Sequence, residues 1–132
     1  MIFNKYQLYA IKMSQVKQFR KHLSEPWFSL MSIGSKTVEG RLNKGDWTEI
    51  KENDLIDWYN EDFGLEREFR TVIISKKIYP SFEIYLRSER LHNALPSIKK
   101  IKDGVKIYRL FYNPEEEIKY GFVALELKVL KK

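Results

Sequence analysis

The chain contains no cysteine among its 132 residues, which excludes a disulfide framework, a thiol nucleophile and any Cys-ligated zinc or iron–sulfur site. Histidine is nearly as scarce. The two present, His22 and His92, lie far apart without an i, i+4 relationship, so no metal centre and no cofactor is expected and chemistry falls to oxygen and nitrogen side chains. Long hydrophobic runs are missing too. The longest, such as Phe122–Leu125, cover three or four residues, too few for a membrane-crossing helix, and the N-terminus has neither a long apolar stretch nor a small-residue cleavage site. A cytoplasmic protein without a membrane partner is expected, or a nuclear one in a eukaryotic or viral setting. The four prolines and six glycines fall singly, so no repeat, linker or low-complexity tract divides the chain.

What is present fits one domain. Hydrophobic residues make up 43% and charged residues 32%, enough for a core and a solvated exterior at a length typical of a single domain. The net charge of +6 is unevenly spread: Met1–Gly45 carries eight Lys or Arg against two acids, and Phe69–Tyr112 carries ten against three. Between them Asp46–Glu68 reverses sign, with nine acids against Lys51 and Arg67. If the basic segments fold side by side, they form a positive face opposite an acidic one, a footprint suited to a polyanion.

Periodicity predicts strands interrupted by short helices. Ser24, Glu25 and Pro26 signal a helix start, with Trp27, Leu30 and Met31 on one face and Gly34 at a left-handed C-cap. Thr37–Leu42 alternates as a strand, and Asp54–Tyr59 and Arg67–Tyr79 read as two more joined through Glu61–Gly64. A second helix begins near Phe82, and a third spans Asp103–Asn113 through Val105, Tyr108, Phe111 and Tyr112, stopped by Pro114. Phe122–Leu130 alternates cleanly, with Val123, Leu125, Leu127 and Val129 on one face. Asn4–Phe19 is weakly patterned and reads equally as strand or helix. The pattern predicts an α+β domain with a curled sheet or small barrel of mostly antiparallel strands.

The run SEPWFSLMSIGSKTVEGRLNKGDW, from Ser24 to Trp47, resembles the ASCH (activating signal cointegrator homology) family signature GxKxxExR with its preceding helix. YPSFEIYL from Tyr79, LHNALPSI from Leu91, and DGVKIYRLFYN through KYGFVALEL from Asp103 resemble the same family in the same order. The resemblance implies a PUA-like β-barrel with short covering helices over residues 22–132, preceded by a packed extension, residues 1–21. It also implies a basic cleft that binds RNA, DNA or a nucleotide.

On a regular strand Glu39 and Arg41 share a face, and Lys36 joins them only if the Gly34–Ser35 turn swings it round. Such a Lys–Glu–Arg cluster accepts a phosphate or a base edge; alternatively Glu39 and Arg41 form an ordinary ion pair. Trp27 is either a stacking surface for a base or a core residue. Tyr79 and Ser81 open the second helix as anion contacts, or Ser81 is a plain N-cap. Arg87, Arg90, Lys76, Lys77, Lys99, Lys100 and Lys102 are candidates for tracking a phosphate backbone.

The sequence admits two other functions. One branch of the resembled family hydrolyses N4-acetylcytidine with a lysine-activated threonine and a glutamate, which implies Lys36 and, roughly, Glu89; here Glu39 stands at the threonine position, with Thr37 two places earlier. A small hydrolase of that kind, or a ribonuclease, would use Lys36 with Glu39 or Glu89. The remaining reading is a protein partner docked through the acidic segment 46–68.

Overall fold

The computed structural model describes residue 2 and residues 4–130. Helix α1 (Lys5–Ser14) leads into strand β1 (Gln18–His22), helix α2 (Trp27–Ser32) and strand β2 (Val38–Leu42). Strands β3 (Leu55–Asn60) and β4 (Arg67–Tyr79) form a hairpin, followed by helices α3 (Phe82–Glu89), α4 (Leu91–Ala94), α5 (Ile101–Arg109) and α6 (Pro114–Tyr120) and strand β5 (Phe122–Val129). The strands make one curled, half-barrel sheet in the order β1-β3-β4-β5-β2, antiparallel except for the parallel β1–β3 pair. The α+β class and the mostly antiparallel sheet match the expectation. The weakly patterned N-terminal segment contains both alternatives, a helix and then an edge strand, and residue 21 lies inside that strand.

The side-chain period of two lets the central strand β5 serve two cores. Val123, Leu125 and Leu127 point into the curl, where they pack with Phe28, Met31, Ile56, Trp58 and Ile73. Phe122 and Ala124 point to the other face and pack with Phe82, Tyr85, Leu86 and Tyr108 from α3 and α5. The sequence shows only the first of these faces, because the second continues into the exposed Glu126 and Lys128.

Local chemistry corrects two expected boundaries. Ser24 does not cap α2: the helix starts at Trp27, and the Glu25 carboxylate accepts from the Ser29 amide and hydroxyl at 2.8 and 2.6 Å. Pro114 does not merely stop a helix. The preceding helix already ends at Arg109, and Pro114 opens α6, where Asn113 and Glu116 form a reciprocal capping box; proline suits that first position because its missing N–H has no helical partner to lose.

The expected separation into a basic and an acidic face is overturned by strand pairing. β3, from the acidic segment, lies between β1 and β4, and around this pairing Arg20 bonds Glu66 and Glu68 at 3.2 and 3.1 Å, Lys21 reaches Asp46 at 2.5 Å, and Arg67 reaches Glu25 at 3.0 Å. Arg70 grips both oxygens of Asp57, at 2.7 and 3.1 Å, and Gln18 adds a third hydrogen bond at 2.8 Å. The Arg70 bond, followed by that from Gln18, outweighs burial and holds the Asp57 carboxyl below the usual aspartate range. A depressed native pKa means that the unfolded chain binds more protons as pH falls through the window between the native value and about 4. This contribution is therefore complete at neutral pH and lost in acid. Urea midpoints at pH 7 and pH 3 should show a smaller acid loss in Asp57→Asn than in the parent.

Candidate functional site

The site begins where α2 ends. Gly34 adopts φ +85°, its amide bonds the Met31 carbonyl at 3.0 Å, and the Ser35 and Lys36 amides share the Leu30 carbonyl at 2.9 and 3.1 Å. This left-handed turn releases Lys36 from the alternation that governs β2. Glu39 and Arg41 pair in register with Leu125 and Val123 and so face into the curl. Between them Gly40 points the other way, where an added Cβ would lie 2.2 Å from Phe122 and 2.7 Å from Tyr85.

The three charged side chains meet as a chain. The Lys36 ammonium donates to Val38 O at 2.5 Å and to Ala94 O, and lies 3.2 Å from Glu39 Oε1. Glu39 Oε2 accepts from Arg41 Nε at 3.0 Å, and Arg41 Nη2 donates to His22 O at 2.8 Å. Arg41 thus bridges β2 to the end of β1, tying the sheet's two edge strands across the open seam. Its guanidinium also lies 4.9 Å from the Trp47 ring centroid and 5.6 Å from that of Trp58, within cation–π range.

Solvent access rises steeply along this chain: the side chain of Lys36 is 0% exposed, that of Glu39 7% and that of Arg41 21%. Burial pushes the Lys36 pKa down against the opposing pull of Glu39. Two carbonyls and a carboxylate consume all three ammonium protons, so the charged form is the one this geometry requires. Burial would raise Glu39, but the charges of Lys36 and Arg41 outweigh it and hold its pKa below the ordinary value. Glu39 is a carboxylate clamped between two cations. In that charged form Lys36 has no lone pair with which to act as a base or nucleophile.

Above this floor opens a cavity of about 230 Å³ lined by His22, Leu23, Ser24, Trp27, Glu39, Gly40, Arg41, Leu95, Ile107, Tyr108, Phe111 and Tyr112. The structure brings Trp27, Glu39 and Arg41 together at its surface and sets Lys36 beneath it. Gly34 does not line the cleft; its turn positions Lys36. Three expected residues lie elsewhere: Ser81 caps α3 by accepting from the Ile84 amide at 3.1 Å, and the Tyr79 hydroxyl donates to Glu89. Burial first, then that carboxylate, pushes the Tyr79 phenol up to about 12. Glu89 is thus engaged by Tyr79 and does not line the cleft. Thr37 is absent from the cleft lining and borders a second cavity, which it shares with Gly34, Lys36 and Leu127.

The cleft's far wall was not legible as such. Tyr108, Phe111 and Tyr112 read as a helical apolar stripe, and only the density of aromatic residues there signals a second use; His22 and Ser24 carried no signal. Lys76 is not a phosphate contact, since its ammonium donates to the carbonyls of Trp47, Thr48 and Ile50 at 3.0, 3.1 and 2.6 Å and secures the loop that carries Trp47. Lys99, Lys100, Lys102 and Lys106 are exposed on and before α5, the helix that supplies Ile107 and Tyr108 to the cleft, and form no ion pair among the described residues.

No protein-family model and no curated protein matches the chain. Solved structures do. The crystal structure of hypothetical protein PH0355 is similar at 34% identity with a TM-score of 0.77, covering 86% of this chain and 99% of that one. The solution NMR structure of protein PF0455 from Pyrococcus furiosus is similar at 33% identity with a TM-score of 0.70, covering 87% of this chain and 99% of that one.

Proposed function

This chain belongs to one protein family with PH0355 and PF0455, and we propose that it is an ASCH-type, PUA-like domain that binds nucleic acid, most simply single-stranded RNA, by taking one base into the Glu39–Arg41 cleft. The observation that carries this reading is the junction of an aromatic wall with a clamped Arg–Glu floor in a cavity of about 230 Å³. That volume is below the range of about 300–1,000 Å³ usual for drug-sized ligands and suits a single ring system. Trp27, Tyr108 and Tyr112 offer faces and edges for stacking. Arg41 uses Nε and Nη2 within the protein, and among the described residues Nη1 makes no hydrogen bond; it is the donor for a base carbonyl. Glu39 keeps lone pairs to accept from an exocyclic amine.

The signature residues Gly34, Lys36, Glu39 and Arg41 support the ASCH reading, with Lys36 as the buried support for Glu39 and not a ligand contact. The lysines beside α5 supply phosphate contacts outside the pocket. Hydrolysis is the weaker reading, because Lys36 has no free electron pair and Glu89 is bound to Tyr79.

Titration of nucleosides and of a short single-stranded RNA at two salt concentrations tests the proposal. Nucleoside binding should be nearly independent of salt, whereas RNA affinity should fall by about 0.7 log units per log unit of salt for each phosphate contact. Arg41→Gln, verified as folded, should weaken both ligands by about tenfold or more. Lys100→Ala/Lys102→Ala/Lys106→Ala should flatten the salt slope and spare the nucleoside. Equal nucleoside affinity in the Arg41 variant would overturn the assignment.

A further inference from the structure

The β3–β4 hairpin carries an arrangement that its own fold does not use. Its tip passes through a short 3-10 turn, Asp62–Gly64, in which Phe63 adopts φ +60° and ψ 24°. A bulky side chain rarely occupies this left-handed region, which glycine enters without penalty. The cost is not offset by packing, because the Phe63 ring is fully exposed and Leu65 beside it is mostly exposed.

The tip is held rigidly. Buried Asn60 donates to Leu23 O at 3.0 Å, and its Oδ1 accepts from the Asp62 amide and from Arg67 Nη2, both at 2.9 Å. Arg67 also binds Glu25 at 3.0 Å. On an anchored backbone, a solvent-facing aromatic ring has only two side-chain torsions to fix on contact and offers a large apolar area, which is the property of an interface anchor.

Charge identifies the occupant. Glu61, Asp62 and Glu66 surround the two apolar side chains, all exposed, and of these only Glu66 forms an ion pair among the described residues, with Arg20. Such a rim repels phosphate backbones and anionic lipid surfaces and attracts cations. We propose that the hairpin tip, residues 61–66, is a docking site for a basic protein segment, with Phe63 as its anchor, Leu65 as a second apolar contact and the acidic rim as the selector. None of residues 61–66 lines the base-binding cleft.

Fluorine NMR on protein labelled with fluorophenylalanine tests it, the Phe63 resonance being assigned by its loss in Phe63→Leu. A synthetic peptide of alternating leucine and lysine should shift that resonance saturably, and Glu61→Gln/Asp62→Asn/Glu66→Gln should weaken binding by about tenfold. No shift, an equal response to the leucine–glutamate counterpart, a response to single-stranded RNA instead, or a shift produced by protein concentration alone would each overturn the proposal. Phe63→Gly provides an independent check. It should abolish peptide binding while the melting temperature holds or rises, whereas a fall of several degrees would mean that the ring serves the fold.

Discussion

Replacing Lys36 by methionine should lower the unfolding free energy by about 3–5 kcal/mol, the usual cost of removing one member of a buried ion pair. The loss has three parts. Glu39 remains buried with a single cationic partner, and the Val38 and Ala94 carbonyls lose their shared donor. The depression of the Glu39 pKa should shrink as well. Because a depressed acid stabilises the fold above its unfolded pKa and ceases to do so as pH falls, the variant should also lose less stability in acid than the parent. Adding Glu39→Gln should recover part of the deficit, since the partners of one network are not additive. Urea unfolding of the two single variants and the double variant measures the coupling directly. A Lys36→Met protein as stable as the parent would mean that the ammonium is not the support assigned to it.

The second large effect is expected at Gly40. An alanine methyl would stand 2.2 Å from Phe122 Cε2 and 2.7 Å from Tyr85 Cζ, inside the wall shared by β5 and α3. Neither ring can retreat, because each packs edge-on against the other and against Tyr108. Overpacking of a filled core costs about 1–3 kcal/mol and occasionally more, and a contact this short belongs at or beyond the upper end. Since Gly40 separates Glu39 from Arg41, the same strain should displace the cleft floor and reduce binding along with stability. Thermal unfolding with a parallel nucleoside titration checks both; an unchanged melting temperature would contradict the close approach described here.

These two positions mark the boundary of what was legible in the sequence. The glycine bend at Gly34 and the period-two relation of Glu39 and Arg41 are local properties, and both emerge as expected. The burial of Lys36 is not local. Its acceptor on Ala94 lies on α4, far along the chain, and a charged residue beside a turn ordinarily reads as solvated. Gly40 occupies a position the eight-residue motif leaves open, and the demand for glycine comes from Phe122 and Tyr85. The latch from Arg41 to His22 depends on the curl of the whole sheet, which no segment specifies alone.

Charge illustrates the same limit. Blocks of like charge along the chain suggest separate faces only if neighbours in sequence remain neighbours in space. Pairing β1 with β3 and β3 with β4 interleaves the blocks, so Arg20, Lys21 and Arg70 neutralise acids that the linear pattern assigns to an opposite surface. What remains positive around the cleft is Arg41 within it and the lysines of α5 beside it. That is a smaller positive region than the sequence suggests, and the case for binding rests more on the shape and hydrogen-bonding capacity of the cleft than on net charge.

The measurement closest to the central claim is a side-chain NMR map of the protein titrated with cytidine and with guanosine. The Trp27 indole and Arg41 guanidinium resonances should move together, with Tyr108 and Tyr112 following, at concentrations where the α5 lysines stay still. Shifts confined to the lysines, or a cleft whose resonances ignore both nucleosides, would contradict it.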